Sequence, residues 1–268
     1  MCSRVLAVTL AVLLGIMAPP PETTAAERIL IPVFLGERNP GGFGFPPHVN
    51  GWITSAFVAN ESTEPVEGHG VRFSLHCDIP EGCAYSSIPP GMIGEIFAPV
   101  SEAGLVLEIP DPERVSVAAW ASRWPSRLPA TGAQLPIARE GDFISRPLHF
   151  LAVPIGFGVR DRIVRIHLRV YSLGEQPARV RVEMRNFFTL AEPIHEAHEF
   201  DLLDMQSPAP SQYAFIDLVA HFPGAGAHST WENVSVIPLA AADGSVPAIW
   251  AFVSITSSTN EVRIMPPA

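Results

Sequence analysis

The run His195-Glu196-Ala197-His198-Glu199-Phe200-Asp201 carries groups that could hold a metal or move a proton. Five acids and two histidines lie between Glu192 and Asp204. His195, His198, Glu199 and Asp201 form the candidate ligand set. Imidazole nitrogens with carboxylates suit Zn²⁺, and oxygens alone suit Ca²⁺. The spacing argues against both. On an extended strand, residues three apart point to opposite faces. The helical zinc motif needs histidines at i and i+4 with a glutamate between them. The sequence therefore predicts a solvated acidic loop with two surface histidines and no cofactor, with Ca²⁺ or Zn²⁺ as the alternative.

Other chemistry is thinly represented. There is no G-x-S-x-G nucleophile turn. Gly42-Phe43-Gly44-Phe45 lacks the rest of a dinucleotide fingerprint and the helix that must follow it. Ser86 and Ser87 have only His76 near them in sequence, and Asp78, Glu81, Asp111 and Glu113 fall in proline-rich turns. All 17 basic residues are arginine, so no lysine Schiff base or lysine general base is available. The net charge of −10 argues against a nucleic-acid backbone as partner. Trp124, Phe43, Phe45 and Trp231 are the aromatic residues expected to meet a ligand at the surface. Trp120 and Trp250 are expected in cores, because each stands at a matching place in two similar halves.

The elements that must position these groups read as strands. Val164, Ile166, Leu168 and Val170 alternate with Arg165, His167, Arg169 and Tyr171. Residues 179–184 and 260–265 repeat the pattern. Such alternation puts one face on a core and the other in water. Gly174-Glu175-Gln176-Pro177 reads as a hairpin turn between strands 163–171 and 178–184. A further strand is expected over 213–220. The 28 prolines and 20 glycines are spread along the chain, which punctuates many short elements. No long helical period appears after the N-terminal apolar run.

Three landmarks recur in the same order. Ile31-Pro32-Val33 matches Val153-Pro154-Ile155; Trp52 to Pro65 matches Val164 to Pro177; Trp120-Ala121, followed by Leu135-Pro136, matches Trp250-Ala251, followed by Met265-Pro266. The expected fold is all-β, with two tandem β-sandwich domains related by internal duplication, over 27–140 and 147–268. The linker is expected near Ala138 to Pro147. The second copy carries extra residues within 185–212, a place for private function.

The N-terminus reads as an export signal over 1–26. Arg4 precedes the apolar run Val5 to Met17; Pro19, Pro20 and Pro21 follow, and Thr24-Ala25-Ala26 supplies small residues for cleavage after Ala26. That apolar run would span only ~20 Å as a helix, against roughly 30 Å of hydrocarbon. No transmembrane segment is expected after cleavage, and the protein is expected to be secreted or periplasmic. Cys2 leaves with the signal, so Cys77 and Cys83 remain as a pair and are expected to form a disulfide.

The opening Ile-Pro-Val, the strand Gly51-Trp52-Ile53-Thr54-Ser55, the turn Pro89-Pro90-Gly91, and Ala119-Trp120-Ala121-Ser122-Arg123 leading to Leu135-Pro136-Ile137 resemble uncharacterised secreted bacterial proteins built from tandem immunoglobulin-like β-sandwich domains. The likeness implies fold and export. It brings no activity and no site residues. The resulting expectation is an exported, non-enzymatic protein with a binding or structural role at the cell surface or in the periplasm, its partner a protein or a cell-surface glycan. The alternative is a hydrolase of extracellular polymer using acids of the 185–212 loop.

Overall fold

The computed structural model describes residues 26–32, 52–68, 71–75, 83–97, 103–123, 133–155, 163–186, 194–204, 212–225, 231–257 and 262–268. The first half contributes β1 (Glu27–Ile31), β2 (Trp52–Asn60), β3 (Val66–Glu67), β4 (Arg72–Leu75), β5 (Cys83–Tyr85), β6 (Ser87–Ile88), β7 (Ile93–Phe97), β8 (Leu105–Ile109), β9 (Val115–Arg123), β10 (Ala133–Leu135) and β11 (Ala138–Arg139). The second contributes β12 (Leu148–Val153), β13 (Ile163–Ser172), β14 (Arg179–Asn186), β15 (Ile194–Asp201), β16 (Leu203–Asp204), β17 (Gln212–Asp217), the one-turn helix α1 (Leu218–His221), β18 (Glu232–Pro238), β19 (Trp250–Ser257) and β20 (Val262–Met265). The fold is all-β, and no described helix is long and apolar enough to cross a membrane.

Among the described residues every strand pairing is antiparallel. In the second half the sheets run β12-β18-β14-β15 and β16-β17-β13-β19-β20. In the first half β1 lies on β8, β3 on β6, and the large sheet runs β10-β9-β2-β7-β4-β5. Thus β10-β9-β2-β7 and β20-β19-β13-β17 follow the same course. Leu135 faces Ala119 just as Met265 faces Val253. The order differs from that of an immunoglobulin domain, where the first strand lies beside the second and the last beside the sixth. Here β12 lies beside β18 and β19 beside β13.

The hairpin expected at Gly174 to Pro177 is instead an arch between sheets. β13 pairs with β17 and β19, whereas β14 pairs with β15 and β18. Burial explains the choice: Ile166, Leu168, Val170 and Val180, Val182, Met184 can enclose one core only from opposite sides. Two further expectations change. The strand predicted over 213–220 ends at Asp217, whose carboxylate accepts from the amides of Val219 and Ala220 and caps α1. The acidic run is not a loop but the edge strand β15.

Two hydrophobic clusters form, and the second half enters both. Ile29, Val58, Phe73, Ile109 and Ala119 lie in the first cluster, together with Tyr171, Leu173, Trp250 and Phe252 from the second half. The expected linker is part of this seam. Ala138 and Phe143 are buried, and Phe143 lies 6.5 Å from the Trp250 ring. The Tyr171 hydroxyl donates to the carbonyl of Pro32, and Arg28 donates to the carbonyl of Leu173 at 2.8 Å.

The two tryptophans are not equivalent. Trp250 pairs with Tyr171, next to the end of β13, while Trp120 pairs with Ser55, five residues before the end of β2. Trp250 is buried in the seam. Trp120 is only half-buried, on the far side of β9 from the core residues Ala119 and Ala121, edge-on to Phe57 at 6.0 Å.

Tyr171→Phe should therefore destabilise the whole chain by about 1–3 kcal/mol, because it leaves the buried Pro32 carbonyl without its donor. Urea unfolding of the full chain, followed by tryptophan fluorescence, measures this.

Candidate functional site

β15 is built on β14, and a one-residue irregularity sets what its side chains reach. Met184 pairs with Glu196, but Arg185 pairs with Ile194, so His195 is the extra residue of a bulge. The bulge brings His195 Nδ1 to 3.3 Å from Glu232 Oε2. Glu232 opens β18 between Val153 and Asn186, and its side chain is 0 % exposed. The His195 side chain is 24 % exposed, so it stands between the buried carboxylate and solvent. Trp231, next in the chain, is 43 % exposed.

The strand on the other side of Glu232 is strained. β12 has an irregularity between Phe150 and Val153, where Ala152 takes φ +58°. A non-glycine residue there costs roughly 1–2 kcal/mol. Asn233, itself buried, accepts the Ala152 amide at 3.3 Å and helps to hold the bend. A strained backbone and a buried acid beside a histidine thus adjoin at one end of the second half, and exposed Trp231 precedes that acid in the chain.

The other predicted metal ligands are engaged elsewhere. His198 Nε2 lies 2.9 Å from Glu196 Oε1, and Glu196 Oε2 accepts from the Gly224 amide at 3.1 Å. The His198 ring sits edge-on to Phe222 at 4.9 Å. Glu199 and Asp201 both bind Arg179, at 2.7 and 2.9 Å. The set His195, His198, Glu199 and Asp201 is therefore divided among three partners. Among the described residues no group of three His, Cys, Asp or Glu side chains could hold a metal ion. Glu199 and Asp201 share one guanidinium, which neutralises them together, while Glu196 is engaged by His198. Beside them Glu183 is buried although it points away from the core, clamped by Arg181 at 3.1 Å and Arg185 at 2.8 Å.

Ser254, His167 and Asp217 line up across β19, β13 and β17 on the side of the sheet away from its core. The row is not an assembled nucleophile set. The Ser254 hydroxyl donates to the main-chain carbonyl of His167 at 3.4 Å, and His167 Nε2 stands 4.0 Å from Asp217 Oδ2. The His167 ring packs 4.4 Å from Phe215. Burial holds its pKa below the usual 6.5; Asp217 opposes that shift, while Arg169 and Arg165 add to it.

Of the aromatic ligand candidates, Trp231 is exposed, whereas Trp124, Phe43 and Phe45 lie outside the described residues. Cys77 and the export signal also lie outside them; Cys83 begins β5. Glu232 was missed in the sequence, although sharing the parity of Val234 and Val236 is a signal that could have found it. The bulge at His195 left no such signal. No protein-family model and no curated protein matches the chain.

Because the folded His167 binds a proton less readily than the unfolded one, its contribution to stability is fully present above about pH 6.5. It falls as pH drops through that value and levels off below the folded pKa. His167→Gln should lose less melting temperature than the parent between about pH 7.5 and about pH 5.5, read by circular dichroism.

Proposed function

We propose that this chain is an exported, non-enzymatic binding protein made of two diverged copies of one sandwich domain, with a ligand site at the Trp231, Glu232 and His195 end of the second copy. The observation that carries the site is a buried carboxylate 3.3 Å from a partly exposed histidine, with an exposed tryptophan next to it in the chain. Ligand sites combine an aromatic contact with a few fixed polar groups. The ligand fitting this pair is a hydroxyl-rich glycan, stacked on the indole with its hydroxyls toward His195. Binding is preferred to hydrolysis because Glu196, Glu199 and Asp201 are each held by a cation or a histidine, not by one another.

The shared strand order and the matched pairs Leu135 with Ala119 and Met265 with Val253 support duplication. The apolar run before Ala26 supports export, and an oxidising compartment would suit a Cys77–Cys83 bridge. The secreted form should have an intact mass that begins at Glu27 and includes that bridge.

A glycan array probed with the mature protein tests the site. Trp231→Ala should lose the uncharged glycans bound while keeping the parent's melting temperature. Cleavage of a bound polymer that Glu232→Gln abolishes would replace binding with hydrolysis.

A further inference from the structure

β13 presents Arg165, His167 and Arg169 on the side facing away from its core, since Ile166, Leu168 and Val170 take the other side. Its neighbours add Phe215 and Asp217 from β17 and Ser254 from β19. The chain has 27 acids against 17 bases, yet this surface sets two arginines and a histidine against one acid. That acid caps α1 through Oδ1. The surface is also apolar: Phe215 is 45 % exposed, and Leu203 beside Tyr213 is 64 % exposed.

The arginine is held in place. Arg169 Cζ lies 4.5 Å from the Phe215 ring centroid, and the side chain hydrogen-bonds the Tyr171 phenol. Tyr171 in turn is tied to Pro32 across the seam. Stacking engages the face of a guanidinium, and its N–H edge is the part that meets carboxylates in paired geometry. One end of the same sheet surface already receives the first half, through Trp250 and Phe252.

We propose that this surface binds a carboxylated polysaccharide, a polymer of uronate sugars. Charge complementarity selects an anion, and the exposed ring selects a partner with a flat C–H face. β13 and β17 are hydrogen-bonded on both sides, so a peptide cannot join here as an added strand. Arg165 and Arg169 stand four residues apart, roughly 13 Å at strand rise. One sugar cannot meet both, but a repeating polyanion can. The surface lies on a different sheet from the Trp231 end and does not depend on that site.

Affinity electrophoresis and calorimetry of the full mature chain with polygalacturonate test the proposal. The comparison probes are its highly methyl-esterified form, monomeric galacturonate and poly-glutamate. Polygalacturonate should bind, the monomer and the ester should bind at least about tenfold more weakly, and added salt should weaken binding. Arg165→Gln, an exposed change, should lose about tenfold with an unchanged melting temperature. Trp231→Ala should bind polygalacturonate as the parent does. No binding, equal binding of the ester, equal binding of poly-glutamate, or an unaffected Arg165→Gln would each overturn it. Loss in Trp231→Ala alone would move the glycan to the other end of the domain.

Discussion

The sheet that carries β13, β17 and β19 must bury part of both its faces. One face closes the second core with Ile166, Leu168, Val170, Ala251 and Val253. On the other face Tyr171, Trp250 and Phe252 complete the first core. Full burial of such aromatic side chains contributes about 1.5–3 kcal/mol each, so the seam is a large term by the standard of whole-domain stability. The polar tip of Tyr171 enters that apolar setting only because the Pro32 carbonyl accepts its hydrogen bond. Burial pushes the phenol up to about 12, so it keeps its proton at neutral pH. The two halves are thereby a single packed object rather than beads on a linker.

That constraint also shapes the surfaces left over. Where the first half stops covering the sheet, the same rows continue as Arg169 and His167, which pack on the exposed Phe215 ring, and Asp217. The hydrogen bond from Arg169 to Tyr171 links the outer patch to the seam. At the opposite sheet, irregular pairing does the positioning. The bulges at Ala152 and His195 turn two ladders so that a buried glutamate meets a histidine. Regular strands would have carried these groups along their faces without bringing them together.

Much of the fold was legible from period-two patterns. Residues 164–170 and 179–184 alternate clearly, and the structure buries Ile166, Leu168, Val170, Val180, Val182 and Met184. Short strands such as β3, β6 and β11 were not legible, because two residues carry no period. The acidic edge strand β15 was hidden for a related reason. It has half-exposed residues on both sides, so its pattern looks like that of a loop. The Trp120 and Trp250 match misled because a shared dipeptide was taken for a shared ladder position, and four residues of register separate them.

By itself the sequence determined the class of structure and the faces of the long strands, because these depend on local alternation alone. Only the tertiary structure decided which strands are neighbours, that the turn after β13 crosses between sheets, and that Tyr171 turns into the other half's core. It alone decided that His195 meets Glu232 while Glu199 and Asp201 share Arg179. Those outcomes depend on contacts between residues far apart in the chain, and on bulges whose one-residue shifts no local pattern records.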